Sequence, residues 1–486
     1  MIVTAPDTLL PAEKLGKVHF VGIGGAGMSG IARIMASRGI EVSGSDAKDG
    51  KVLAALRALG ATCAVGHAAE NVAGVDTVVV STAIRETNPE VVAARAAGIP
   101  ILPRAAALAS VMVGRRTIAV AGTHGKTTTT SMLTVALQHC AADPSYAIGG
   151  NLNESGSNAH DGTGELFVAE ADESDKSFLT YAPEVSIVTS VEPDHLDNYG
   201  DEATYRQAFK DFCARVLPGG FMVICHDDEG ARQLAEYARE RGVDVRTYGE
   251  SGDADLQVTE LVAEGATQSF VPIYRGRKLP VVHLQQAGKH NALNASAALA
   301  VGLGLGFSAA DLAEGLASFT GTGRRFEFKG QQDGVRVFDS YAHHPTEVTV
   351  DLKAARQVAG EGHVVVCFQP HLFSRTRIFA AQFSEALALA DEVVVMDVFA
   401  AREDPEPGVT GALLANHVPL KPEQVRFEPS WSAVPQLLTE LARPGDIVVT
   451  MGAGDVSLIG PEVVDLLAER ALLRESAAVA PDPVLK

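Results

Sequence analysis

Gly122-Thr123-His124-Gly125-Lys126-Thr127-Thr128 combines the residue types that grip a polyphosphate: glycines that leave main-chain N–H groups bare, then a lysine and hydroxyls. Lys126 is suited to neutralise β and γ phosphates, and Thr127 to offer its hydroxyl to Mg²⁺. The spacing departs from the commonest phosphate loop, because the earlier glycine position, 121, is alanine. A strand–helix turn carrying a solvated lysine is the alternative. Further on, Glu170-Ala171-Asp172-Glu173-Ser174-Asp175 places four carboxylates in six residues, which suits an oxygen-ligated Mg²⁺ as well as an acidic surface loop. Glu170 follows a strand directly and is the preferred ligand; Asp172, Glu173 and Asp175 are read as solvated. His195, in Glu192-Pro193-Asp194-His195, is a candidate second metal ligand or water-positioning group.

A second glycine cluster, Gly22-Ile23-Gly24-Gly25-Ala26-Gly27, stands between an apolar strand and a helix, and Asp46 lies 19 residues after Gly27. That is the layout of a dinucleotide fold with its ribose-binding acid. Glycines at a helix start accept any diphosphate, so NAD and a UDP-sugar both remain open. Ser81 sits just past another strand, where open α/β sheets bind ligands. Asn291 and Asn294 share one face of an alanine-rich helix and offer amides to a base or phosphate. Arg324-Arg325 follow the glycine-rich break 319–323 and are placed to bring a guanidinium to a γ-phosphate. Asp339, His344, Arg375 and Arg377 also lie beyond strand ends.

These groups need sheets to hold them. Short apolar runs at 18–21, 40–44, 77–80, 99–102, 117–121, 166–169, 186–191, 335–338, 364–368, 391–396 and 446–451 read as buried parallel strands, with helices expected at 51–59, 88–97, 204–217 and 292–304. The pattern predicts an α/β protein of three domains: a Rossmann-like first domain (1–115), a central parallel-sheet domain of the phosphate-loop ATPase type (116–322), and a C-terminal Rossmann-like domain (323–486). The segment after Arg474 is expected to be disordered.

The chain of 486 residues carries 40 basic and 60 acidic residues, a net charge of −20, which argues against nucleic-acid or anionic-membrane partners. An anionic substrate therefore needs locally placed cations. Five scattered cysteines without a C-x-x-C pattern fit free thiols in a reducing compartment. The opening residues lack a secretory pattern and no apolar run reaches membrane-spanning length, so a cytoplasmic monomer or homodimer is expected.

Seven motifs taken together resemble the Mur ligase family: Gly22 to Gly30, Gly122 to Thr128, Glu170 to Asp175, Glu192 to His195, His290 to Asn294, Gly323 to Arg325 and Asp339 to Pro345, in family order. The family uses the shortened phosphate loop. The resemblance implies ATP-dependent joining of L-alanine to UDP-N-acetylmuramate through an acyl phosphate, with Mg²⁺ as cofactor and Mn²⁺ as a substitute. It implies catalytic roles for Lys126, Glu170, His195, Arg325 and His344, and metal ligation by Thr127, Glu170 and His195. ATP is assigned to Gly122 through Thr128, Asn291, Asn294, Arg325 and Asp339. The UDP-sugar is assigned to Gly22, Gly24, Gly25 and Gly27, with Asp46 and Ser81 nearby. The amino acid is assigned to His344, Arg375 and Arg377, in a C-terminal domain that closes on ATP. Two departures stand out: relatives often carry Arg-Tyr at Leu372-Phe373, and sister ligases use a carbamylated lysine, for which Lys210 is the candidate here. Rival readings are a sister ligase attaching a recycled peptide, an NAD-dependent dehydrogenase and a non-catalytic nucleotide-binding regulator.

Overall fold

The computed structural model describes residues 5–6, 8–401 and 403–479. The chain forms two compact units, one of Met1–Glu260, Phe270–His283 and Ala292–Thr320, the other of Leu261–Ser269, Leu284–Asn291 and Gly321–Lys486. Among the described residues no helix is long and apolar enough to cross a membrane.

The first unit holds two sheets. Strands β1 (Val18–Val21), β2 (Val42–Asp46), β3 (Thr62–Val65), β4 (Thr77–Val80) and β5 (Ile101–Pro103) form a parallel sheet in the order β3-β2-β1-β4-β5. β1 and β4 are buried along their whole length, so apart from His19 and Thr77 they read as apolar runs rather than alternating ones. One buried acid ties this sheet together. Glu90, in the first turn of the helix Pro89–Ala96, accepts from Ser45 Oγ and Asn71 Nδ2, both at 2.6 Å, and has His67 Nδ1 at 3.3 Å and His19 Nε2 at 3.6 Å. Burial by itself pushes the Glu90 carboxyl up, but the histidine, hydroxyl and amide donors outweigh it and hold it at about 2.

The second sheet comprises β6 (Arg116–Ala121), β7 (Ser145–Ala147), β8 (Ala159–His160), β9 (Leu166–Glu170), β10 (Val185–Val188), β11 (Phe221–Cys225), β12 (Asp244–Gly249), β13 (Leu256–Glu264), β14 (Thr267–Tyr274), β15 (Arg277–Lys278) and β16 (Val282–Leu284). Its order is β15-β14-β13-β12-β11-β10-β6-β9-β7-β8, with β16 beside β14. β6 lies between β9 and β10, with Val120 opposite Glu170 and Ala121 opposite Val188, so three parallel strands end on one edge around the phosphate loop. The helix Lys126–His139 starts with four threonines, poor helix formers, and is buried against the sheet. Thr130, Ser131 and Thr134 each donate to the carbonyl four residues back at 2.8 Å, which satisfies their hydroxyls inside the core. The helix Glu202–Cys213 buries Tyr205, Phe209 and Phe212, and Phe178 packs on Phe209 and Phe212 at centroid distances of 5.3 and 4.9 Å.

The second unit contains β17 (Glu327–Gln332), β18 (Val335–Ser340), β19 (Val364–Phe368), β20 (Glu392–Val395), β21 (Val425–Phe427) and β22 (Ile447–Met451), in the order β17-β18-β22-β19-β20-β21. Only the pairing of β17 with β18 is antiparallel. β19 shows why its sequence is apolar throughout: Val364, Val366 and Phe368 enter one core, Val365 and Cys367 the other. The expectation of a disordered tail after Arg474 is corrected in part. The last helix runs from Ile459 to Val479, because the alanine-rich stretch after Arg474 favours helix until proline intervenes at 481; residues 480–486 lie outside the described residues. All five cysteines are free thiols.

Phe209→Ala is expected to lower the unfolding free energy by about 3–5 kcal/mol in urea titrations, because it opens a cavity among closely packed rings. A loss under about 1 kcal/mol would place the ring outside the core. Acid titration provides a second test. Glu90 has its carboxyl held below the ordinary 4.5, so its contribution to stability is complete above about pH 4.5 and is lost as pH falls toward 2. Glu90→Gln is expected to flatten the acid limb of stability between those values, measured by chemical denaturation at stepped pH.

Candidate active site

The phosphate loop depends on two glycines. Gly122 has φ +128°, and a Cβ there would lie 2.8 Å from the Thr189 amide nitrogen and 2.9 Å from that of Ser190. Gly125 caps the helix Lys126–His139 in the left-handed region (φ +81°), with Asn294 Oδ1 2.7 Å from where its Cβ would stand. Thr123 is turned inward: its hydroxyl donates to the Glu192 carbonyl and accepts from the Glu192 amide, both at 2.9 Å. His124 Nε2 lies 3.0 Å from the Glu192 carboxylate. Lys126 Nζ donates to the carbonyls of Gly122 (2.7 Å) and Thr123 (3.1 Å) and to Glu173 Oε1 (3.0 Å). Thr127 Oγ1 donates to Glu170 Oε1 at 2.9 Å, and the Gly149 amide donates to the other Glu170 oxygen at 2.6 Å. Thr128 follows, half-buried, on the first helical turn.

Glu173 corrects a sequence expectation. Instead of being solvated it is fully buried, because the Lys126 ammonium and the Tyr199 hydroxyl, which donates to its carbonyl, draw it inward. Burial pushes the Glu173 carboxyl up to about 7 against the pull of Lys126. Burial pulls Lys126 down, but Glu173, Asp172 and Glu170 outweigh it and keep the ammonium charged. Asp172 is held low despite its burial by Lys126 and Arg104.

Arg104 is the functional candidate that the sequence reading missed. Its guanidinium lies 3.6 Å from Asp172, and its Cδ lies 3.1 Å from the Cβ that Gly27 lacks. It therefore stands between the glycine loop and the acidic segment. A small cavity of about 90 Å³ adjoins it, lined by Gly27, Gly149, Asn158, Glu170 and Asp172. The signal available was position: Arg104 directly follows β5, at the same sheet edge as Ser81.

In the glycine loop, Gly22 takes φ +78°, Gly25 caps the helix Ala26–Ser37, and Gly24 donates its amide to Asp46 Oδ2 at 2.9 Å. Asp46 thus holds its own loop. Ser81 lines a cavity of about 400 Å³ together with Arg85, Arg95, Arg104, Asp175 and Ser177. His195 follows β10 with φ +51°, and its Nε2 is 3.5 Å from Asp194. Lys210 lies against the Tyr237 ring, 5.1 Å from its centroid, in a shallow cavity shared with Arg206, Gln233 and Glu240.

Within the second unit, Arg324 is a structural clamp, donating to Asp339 (3.2 Å) and to the carbonyls of Gly452 (2.7 Å) and Gly454 (3.2 Å). Arg325 lies over the Tyr341 ring at 5.3 Å. Asp339 is fully buried and also accepts from Thr450 Oγ1 at 2.7 Å. His344 caps the helix Pro345–Ala359, its Nδ1 accepting from the Thr346 amide. Arg375 is buried, whereas Arg377 pairs with Glu406 at 2.8 Å on the surface. Asn291 donates to the Ala287 carbonyl at 2.8 Å. Leu372 takes φ +69°, a strained conformation for a bulky residue.

Two glycine loops, an acid-backed phosphate grip and three α/β sheets define the class, and comparison with known proteins agrees. The chain belongs to the Mur ligase family: models described as "Mur ligase family, catalytic domain", "Mur ligase middle domain" and "Mur ligase, glutamate ligase domain" match residues 17–116, 120–302 and 324–454. It is similar to the UDP-N-acetylmuramate–L-alanine ligase of Acidothermus cellulolyticus, 58% identical over 462 residues that cover 95% of this chain and 97% of that one. It is also similar to the enzyme of that name from Saccharopolyspora erythraea, 56% identical over 474 residues covering 96% of each chain. Among solved structures it resembles UDP-N-acetylmuramate-alanine ligase from Thermotoga maritima (TM-score 0.76, 30% identity, 95% of this chain and 99% of that one). A murein peptide ligase from Psychrobacter arcticus shares the fold (TM-score 0.69, 24% identity, 93% of this chain and 99% of that one).

Gly122→Ala is expected to lower the unfolding free energy by about 1–3 kcal/mol, because its methyl group meets main-chain amides that cannot yield. Thermal denaturation measures this, and an unchanged midpoint would contradict the loop geometry.

Proposed function

We propose that the protein joins L-alanine to the carboxylate of UDP-N-acetylmuramate, cleaving ATP to ADP and phosphate. The observation that carries this reading is the near-full-length similarity to ligases of that name, together with one unit holding two phosphate-type loops with Arg104 between them. The substrate carboxylate attacks the γ-phosphorus of ATP and ADP leaves, giving an acyl phosphate. The neutral alanine amine attacks the acyl carbon, and the tetrahedral intermediate collapses with loss of phosphate and the amine proton. Two anions must meet in the first step, so catalysis rests on placed positive charge. Lys126 binds the transferred phosphate by exchanging its Glu173 contact for phosphate oxygens. Main-chain amides of Gly122–Thr127 orient the rest of the triphosphate. Gly22–Gly27 hold the UDP diphosphate, with Asp46 fixing the loop and Ser81 facing the sugar-nucleotide cavity.

The hydroxyl and carboxylate of Thr127 and Glu170 suit a hard dication, and with His195 they are the groups proposed to hold Mg²⁺, or Mn²⁺ in its place. The ion supplies neutralisation of phosphate charge. In the nucleotide's remaining contacts, the proposal keeps Asn291, Asn294, Arg325 and Asp339; for the amino acid it keeps His344, Arg375 and Arg377. It divides the working domains at 115 and 322 and locates the reaction in the cytoplasm, where ATP and nucleotide sugars are available.

Phosphate release from ATP in the presence of UDP-N-acetylmuramate tests the reading across L-alanine, glycine, L-serine and a tripeptide. The highest kcat/KM is expected with L-alanine. No turnover with any single amino acid would overturn the reading, and preference for the tripeptide would assign the protein to the peptide-attaching sister ligases. In the full-length protein, Lys126→Ala is expected to reduce turnover at least about 100-fold while calorimetric binding of the UDP-sugar is retained. Chelation of divalent ions is expected to stop turnover until Mg²⁺ is returned.

A further inference from the structure

The glycine loop of the first sheet has one internal main-chain hydrogen bond, from the Gly25 amide to the Gly22 carbonyl at 3.2 Å. Its first three amides are held by the end of β2: the Ser45 carbonyl accepts from Gly22 (2.8 Å) and Ile23 (2.9 Å), and the Asp46 carboxylate accepts from Gly24 (2.9 Å). Where that strand end sits, the loop sits. Ser45 is buried, and its hydroxyl donates to Glu90 Oε2 at 2.6 Å. A hydroxyl has one hydrogen, so His67 Nδ1, 2.9 Å from Ser45 Oγ, must be the donor in that contact; it lies 3.3 Å from the same carboxylate oxygen. Asn71 Nδ2 (2.6 Å) and the Ala68 amide (3.3 Å) bind the other oxygen, while the Gly66 amide donates to the Asp46 carbonyl at 2.7 Å. His19, on β1, faces the carboxylate at 3.6 Å through an Nε2 that has no closer partner. Glu90 itself is fixed at its helix start, where Asn88 Oδ1 accepts its amide at 2.9 Å.

We propose that Glu90 is a positioning residue for the UDP-sugar: from inside the domain it sets the end of β2, and thereby the course of the Gly22–Gly27 loop that receives the diphosphate. The proposal rests on the functional reading above. A buried carboxylate is costly unless several donors satisfy it. Here the hydrogen bonds come from β2 and from the segment 67–71, and the His19 ring of β1 faces the same carboxylate, so one anion draws three separate pieces of chain into a single arrangement. An apolar side chain of the same volume would fill the space without specifying that arrangement. Glu90 is wholly buried and lines neither of the two cavities described above, so it acts through the groups it binds, of which Ser45 belongs to β2 itself.

The test uses the full-length protein with Glu90→Gln, Ser45→Ala and the double variant. Each single variant is expected to raise the KM and the calorimetric Kd for UDP-N-acetylmuramate about tenfold. The kcat and the KM for ATP should stay within about twofold, and the double variant should be no worse than the weaker single, as expected for two residues acting as one unit. A merely structural role would lower the melting temperature and the active fraction while leaving Kd for the UDP-sugar unchanged, and that result overturns the proposal. Should Glu90→Gln fail to fold, Ser45→Ala removes only a hydroxyl and gives the same readout. Wild-type protein that binds no UDP-sugar overturns the functional reading and this proposal with it; tight wild-type binding with unaltered variants overturns this proposal alone.

Discussion

The Lys126 ammonium makes three hydrogen bonds inside the protein, two to loop carbonyls and one to Glu173, and the rest of the first unit is arranged around that placement. A lysine held this way is charged and fixed before any substrate arrives, which in the proposed reaction lowers the reorganisation needed for a phosphate to replace the carboxylate. The placement requires a main chain without a Cβ at Gly122, since Thr189 and Ser190 come up against it, and a left-handed turn at Gly125. It also requires β6 to run between β9 and β10, because only then do Glu170 and the Glu192–His195 segment arrive on either side of the loop. Fold and chemistry are linked through sheet order.

The same acidic segment faces two ways. Glu173 meets Lys126, and Asp172 meets Arg104, which in turn lies against Gly27. In a chain of net charge −20, the cations proposed to receive anionic substrates have to be gathered locally and kept from the many carboxylates elsewhere. Pairing each with a dedicated acid achieves this. The acids hold the cations in position, and an incoming phosphate with more charge and more acceptor oxygens competes for them.

Much of this was legible in the sequence, for a physical reason. Parallel strands buried on both faces read as unbroken apolar runs, so β1, β4, β6, β9, β10, β18, β19 and β22 stand out, and the polar residues after them mark the functional edge. The Lys126–Thr127 turn and Glu170 were recognisable because their residue types are required locally. What escaped depends on neighbours far away in the chain. Arg104 is an arginine after a short strand until Asp172 and Gly27 are set beside it. Glu173 looks like one more surface acid until Lys126 buries it. Asp46 has the spacing of a ribose ligand, yet its carboxylate serves the Gly24 amide. Strands β13 and β14 alternate in burial over part of their length, β15 and β17 bury no residue, and all carry polar residues, so their runs were too weak to read.

The central claim is that ATP activates the sugar's carboxylate rather than merely being hydrolysed nearby. UDP-N-acetylmuramate labelled with ¹⁸O in both carboxylate oxygens tests it directly. When the acyl phosphate forms and is then cut by the amine at carbon, one labelled oxygen leaves with phosphorus. Mass spectrometry of the released phosphate is expected to find one ¹⁸O per molecule formed in the presence of L-alanine. Unlabelled phosphate, accompanied by amide product, would contradict the account.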